Sequence, residues 1–152
     1  MRFISDLHFG HELVSKIRGF KTTDEHDKFI IDKWNQSVNK RNVVYILGDI
    51  ALSHRHICKL GELNGIKKVV LGNHDTKRNI KEIVKYASVY GSVEYKDYII
   101  THFPVHDSSF PRYKGNIHGH IHSSKKIDDS RYISVCIEHV GYCPVLFDKL
   151  KR

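Results

Sequence analysis

The sequence has little that would brace a chain covalently or bury it in lipid. Cys58, Cys136 and Cys143 are its only thiols in 152 residues. They are odd in number and form no CxxC pair, so neither a disulfide framework nor a cysteine-built zinc site is expected, and a reducing cytoplasm is the default compartment. No run of about 18 apolar residues occurs, which argues against a transmembrane helix and a membrane role. The first ten residues already carry Asp6 and His8 and do not read as a signal peptide. There is no internal repeat, low-complexity stretch, linker or long basic tail. With 40% hydrophobic and 28% charged residues, the composition is that of a folded chain rather than a disordered one. The length suits a single domain over residues 1–152.

Two features are in excess. Net charge is +8, spread over both halves, which serves solubility or favours anionic substrates such as phosphates. Histidine, at 12 residues, exceeds what solubility or packing asks for. The positions of those histidines therefore carry most of the functional information.

The hydrophobic pattern predicts an α/β chain with a parallel first half. A short strand over residues 2–5 runs into Asp6-Leu7-His8-Phe9-Gly10-His11. Thr22-Thr23-Asp24-Glu25 reads as a capping box, and Ile31, Trp34 and Val38 mark the inner face of the helix that follows. Residues 43–47 are a continuous apolar run, the mark of a strand buried on both faces, and end at Gly48-Asp49. Ser53 is placed to cap a helix carrying Ile57, Leu60 and Leu63. A third strand over 67–71 stops at Gly72-Asn73-His74-Asp75, and Ile80, Ile83, Val84 and Ala87 outline a third helix. This β-α-β-α-β-α order implies parallel strands with helical crossovers. Beyond Ala87 the pattern turns to short strands over 98–101, 116–118, 132–137 and 145–147.

Metal-binding residue types fall just past strand after strand. Asp6 and His8 follow the first, Asp49 the second, Asn73 and His74 the third, His102 the 98–101 strand, and His120 and His122 the 116–118 strand. Ligand sites in open α/β sheets form at the carboxyl ends of strands, so five segments converge on one edge. Two divalent ions held there could clamp the attacking and leaving oxygens of a phosphoryl transfer, and a carboxylate between them would offset their repulsion. Asp-x-His and His-x-His spacings put two side chains on one side of an extended turn. Each motif alone is weak or moderate; all of them, in order and at strand ends, are specific.

In this order the motifs resemble the calcineurin-like metallophosphoesterases, over nearly the whole chain. The elements are Asp6-Leu7-His8, Gly48-Asp49, Gly72-Asn73-His74-Asp75, His102 and Gly119-His120-Ile121-His122. The likeness extends to short, capless bacterial and phage members. It implies two packed mixed β-sheets flanked by helices. It also implies that Asp6, His8 and His122 bind one ion, that Asn73, His102 and His120 bind another, and that Asp49 bridges them. His74 would be the catalytic residue, steadying the phosphate or protonating the leaving oxygen while a metal-bridging hydroxide attacks. Mn²⁺ is the expected metal, with Fe or Zn²⁺ as alternatives.

One departure stands out. Where many members carry a second Asp three residues after the bridging one, this chain has Leu52. Either Asp75 or Asp107 then supports His74, or its role as an acid is weaker and substrates with good leaving groups are preferred. Expected substrate contacts are His11, Asn73 and Arg18, with Arg78, Arg112 and Lys114 read as exposed charges. His118 is read as a packing or supporting residue, and His54 and His56 as a solvated helix start. The expected substrate is a phosphodiester of a nucleotide or nucleic acid. The alternatives are a phosphomonoesterase or protein phosphatase with the same site, or a metal-stabilised nucleic-acid-binding module. The motifs leave the oligomeric state open.

Overall fold

A computed structural model describes residues 1–150. Among the described residues nine strands form two sheets. The first has β1 (Arg2–Ile4), β2 (Val43–Ile46), β3 (Ile66–Val70), β4 (Ala87–Tyr90) and β9 (Val145–Leu146), in the order β4-β3-β2-β1-β9. Its first four strands are parallel and β9 runs antiparallel to β1. The second has β5 (Val93–Tyr95), β6 (Tyr98–Ile100), β7 (Gly115–His118) and β8 (Tyr132–Ser134), in that order. Only the β5–β6 hairpin is antiparallel there. Both sheets are therefore mixed, and they pack together, as the family resemblance implies.

The alternation of side chains explains why the first sheet is buried on both faces. Ile4, Val44, Ile46 and Val69 point into one apolar cluster with Ile30 and Trp34 of α2 (Thr23–Ser37) and with Ile57 and Leu60. Their neighbours Phe3, Tyr45, Leu47 and Val70 point the other way, into a second cluster with Ile100, Ile117 and Val135. The second cluster is the interface between the sheets, and the first joins a sheet to its helices.

The Thr22 cap forms as expected, its hydroxyl accepting from the Glu25 amide at 3.1 Å. Glu25 reaches one residue further than a capping box requires and accepts from the Lys21 amide. Two expectations are corrected. The segment after Ser53 is a 3-10 helix, His54–Glu62, and the Ser53 side chain makes no cap bond; its hydroxyl pairs with His56 Nδ1 instead. The apolar spacing 57, 60, 63 is a period of three, which suits 3-10 better than α geometry. Ala87 opens β4 instead of ending α3 (Lys77–Ile83). The chain after Gly10 forms a short helix, α1 (Glu12–Ile17), capped by the His11 imidazole. The other short helices are α4 (Phe147–Leu150) and a 3-10 helix over Asp107–Arg112. Among the described residues no helix is long and apolar enough to cross a membrane.

Candidate metal centre

The carboxyl ends of β1, β2, β3, β6 and β7 meet at one place. The loops after β1 and β2 are laced together: the Asp6 amide donates to Gly48 O, His8 to Asp49 O and Phe9 to Ile50 O, at 2.9–3.1 Å. The second sheet is tied in by Ser5 N to Val135 O at 2.9 Å and Ile137 N to Ser5 O at 3.1 Å, while Gly119 N to His102 O, 2.9 Å, joins its own β7 and β6 ends. The backbone turns so tightly that five expected ligands have left-handed conformations: Asp6 (φ 62°), His8 (51°), Asp49 (53°), His120 (71°) and His122 (47°). Such residues are uncommon outside glycine and cluster at functional sites, where surrounding structure holds them. Close approach dictates two glycines as well. A methyl group at Gly72 would lie 2.3 Å from Asp49 Oδ1, and one at Gly119 2.8 Å from Asp6 Oδ2.

Two groups of donors result. Asp6, His8, Asp49 and His122 offer ligand atoms within 4.8 Å of one another, and so do Asp49, His102 and His120. Asp49 belongs to both. Its Oδ1 accepts from the His74 amide at 2.9 Å. Its Oδ2 lies 3.5 Å from His102 Nε2, 3.7 Å from His8 Nε2 and 3.9 Å from His74 Nε2. Asp6 Oδ2 accepts from the Ser5 hydroxyl at 2.5 Å and the His120 amide at 3.0 Å, leaving Oδ1 toward His122 Nε2 at 3.7 Å.

The residues fit a pair of cations. Asp6 Oδ1 and both ring nitrogens of His8 are buried without a hydrogen-bond partner, a costly arrangement unless something else neutralises them. Burial, reinforced by the His122, Arg18, His74 and His11 charges, holds His8 down to a pKa of about 2, so it is a neutral donor across the physiological range. His102 gives its Nδ1 proton to Leu47 O at 2.7 Å. Its Nε2 lone pair then faces Asn73 Oδ1 at 2.9 Å, two acceptors that a shared cation would reconcile. Carboxylate, amide and imidazole donors suit Mn²⁺, Fe or Zn²⁺. Cys136 is not among them: burial, then the Asp6 charge, pushes its thiol up to about 12.

The calcineurin-like phosphoesterase family model matches residues 2–139. The chain belongs to this family. An uncharacterised protein of Methanocaldococcus jannaschii, MJ1445, is 33% identical over 98% of this chain and 88% of that protein. The Gene 66 protein of Mycobacterium phage L5 is 31% identical over 91% and 84%. Among solved structures, a protein of unknown function from Aquifex aeolicus, AQ665, superposes with a TM-score of 0.75 at 23% identity, covering 95% of this chain and 94% of that one. The Pseudomonas putida nuclease MPE gives 0.51 at 14% identity, over 79% and 60%. At these identities the structural likenesses are of fold. The chain is thus a metallophosphoesterase by family, and phosphate esters are its class of substrate.

The other sequence-derived candidates of this phosphoesterase fall into place unequally. The His74 side chain is half-exposed at the centre, its ring 5.5 Å from that of His8. His11 borders the site, ring 5.6 Å from His8, while its Nδ1 caps α1. His118 is buried, with Nδ1 donating to Gly119 O at 2.9 Å, the packing role expected of it. Lys114 pairs with Asp97 at 2.6 Å.

Three expectations are corrected. Arg18 is not an exposed phosphate contact: its side chain is 2% exposed and binds Asp6 O, Leu7 O, His26 and Glu138. Asp75 does not support His74, because its oxygens accept from the amides of Asp49, Ile50 and Gly72. Asp107 pairs with His106 at 3.1 Å.

Two residues escaped the sequence reading. Glu138 accepts from His122 Nδ1 at 3.2 Å. Phe103 is 46% exposed, with its ring 4.9 Å from that of His102 and 4.4 Å from that of His120. Phe103 directly follows His102 in sequence, but nothing there says which way the ring faces. Glu138 has no local signal at all.

Proposed function

We propose that this phosphoesterase is a metal-dependent phosphodiesterase acting on nucleotide or nucleic-acid diesters, with His74 assisting departure of the leaving oxygen. The observation that carries the reading is the single Asp49 carboxylate common to two donor groups, beside a half-exposed imidazole. One ion would be held by Asp6, His8, Asp49 and His122, the other by Asp49, Asn73, His102 and His120. When bound, such a pair draws charge from the phosphoryl oxygens and makes the attacking water nucleophilic near neutral pH.

The chain's own residues set the rest. His74 is anchored to the shared carboxylate by its backbone amide, so its imidazole is positioned by the carboxylate common to both donor groups. Nε2 can carry a proton to the departing oxygen or hydrogen-bond a phosphoryl oxygen. The net charge of +8 favours polyanionic substrates. Phe103 presents an exposed aromatic face beside His102 and His120, suited to stacking a nucleobase.

The test is hydrolysis of bis-p-nitrophenyl phosphate and p-nitrophenyl phosphate by metal-stripped protein with Mn²⁺ restored. Faster diester turnover, lost in His74→Ala while ion binding persists, supports the reading. Faster monoester turnover replaces the substrate class. Bound metal without turnover of either ester, nucleotides or oligonucleotides sinks the hydrolase reading and favours a binding module.

A further inference from the structure

We propose that Arg18 and Glu138 act together as a positioning clamp that sets ion affinity at the Asp6/His8/His122 group, more than at the Asn73/His102/His120 group. The inference rests on the binuclear reading above. Arg18 leaves α1 and reaches beneath the first turn, where Nη2 donates to Asp6 O at 2.7 Å and Nη1 to Leu7 O at 3.1 Å. The two carbonyls belong to the turn that holds Asp6 and His8 in left-handed conformations. The same guanidinium donates from Nε and Nη2 to Glu138 Oε1, at 3.0 and 2.7 Å. That oxygen also accepts from His122 Nδ1. One ion pair therefore fixes the backbone of two donors and the ring of a third.

The arrangement fixes the His122 tautomer. A proton on Nδ1, directed at Glu138, leaves Nε2 with its lone pair toward Asp6 Oδ1. A carboxylate on the far nitrogen orients an imidazole donor and makes it more basic, and removing such a partner typically costs about 10–100-fold in metal affinity. The clamp is itself braced. Arg18 Nη1 meets His26 Nε2 at 3.0 Å, His26 Nδ1 meets Asp27 Oδ1 at 2.8 Å, and Asp27 Oδ2 accepts from the Gly10 amide. Lys59 lies 3.4 Å from the same Asp27 oxygen. The His102 and His120 rings touch neither Arg18 nor Glu138; His102 is oriented by Leu47 O.

The experiment is titration of metal-stripped protein with Mn²⁺ by calorimetry and electron paramagnetic resonance. Wild-type protein should take up two ions. Glu138→Ala should weaken one by about 10–100-fold and leave the other within about threefold. Glu138→Gln, which keeps an acceptor for His122 Nδ1, should recover part of the loss. In a His120→Ala background, where the Asp6/His8/His122 group dominates, Glu138→Ala should weaken the remaining ion by the same factor. Arg18→Lys should fall between wild type and Glu138→Ala. Equal affinities in Glu138→Ala and wild type overturn the clamp. Parallel loss of both ions with a lowered melting temperature makes the pair a general structural bond and also overturns it. Wild-type protein that binds no Mn²⁺ removes the binuclear reading itself, a result separable from either.

Discussion

Asp75 offers the sharpest test of how the metal turns are held. Its Oδ2 accepts from the amides of Gly72 at 2.8 Å and Asp49 at 3.0 Å, and its Oδ1 from Ile50 at 3.3 Å. One carboxylate thus pins the Gly48-Asp49 turn to the Gly72-Asn73 turn. In Asp75→Ala three amides lose their acceptor, two of them on the buried residues Asp49 and Ile50. A buried donor left unpaired costs about 1–3 kcal/mol, and with the long Ile50 bond and the more accessible Gly72 amide discounted the total is about 3–4 kcal/mol. For a chain of this size that lowers the melting temperature by roughly 6–16 °C. Asp75→Asn should cost only about 1 kcal/mol, because its carbonyl can take the Oδ2 position and only the long bond is lost. Urea denaturation of metal-free protein reads these differences without interference from bound ions. An alanine variant within about 1 kcal/mol of wild type, or an asparagine variant as damaged as the alanine one, would refute the reasoning.

Four further outcomes are expected. Mn²⁺ at about 100 times its dissociation constant should stabilise the native state by about 2.7 kcal/mol per ion, seen as a rise in melting temperature that a chelator reverses. Gly119→Ala forces a methyl against Ser5 and Asp6, so denaturation should show a loss of about 1–3 kcal/mol together with weaker Mn²⁺ binding. Phe103→Ala should raise KM for dinucleotides by about 5–150-fold, the equivalent of one stacked base, while changing KM for a methyl-ester diester little. With neither Asp75 nor Asp107 directed to His74, rates across a series of aryl diesters should fall steeply as the leaving phenol becomes more basic; a flat series would show a strong acid at His74.

The convergence of the candidate ligands was legible in the sequence because its parts are local. Asp6-Leu7-His8 and Gly119-His120-Ile121-His122 each sit on one turn at the end of one strand, and the strand ends were legible from buried apolar runs such as 43–47. The continuous apolar run over 43–47 likewise foretold a strand buried on both faces. Illegible were the contacts made across the fold. Arg18 and Glu138 are 120 positions apart, and each alone reads as a surface charge. Asp75 sits beside His74 in sequence, yet its carboxylate serves another turn, because its direction depends on a backbone that only the packed sheets define. The strands β4 and β5 are short and carry half-exposed residues, so their alternation is too weak to register.

The two donor groups each draw from both sheets. Asp6, His8, Asp49 and Asn73 hang from the first, and His102, His120 and His122 from the second. At this end the sheets are joined by a narrow backbone seam, the Ser5–Cys136 bridge and the bonds beside it, together with the His102–Leu47 and His120–Asp6 hydrogen bonds. Ions seated here would act as rivets through two plates. Neither plate could peel away without stripping ligands from both cations. The loaded protein would then come apart only as a whole, and slow hydrogen exchange at the seam would be a record of how firmly the rivets hold.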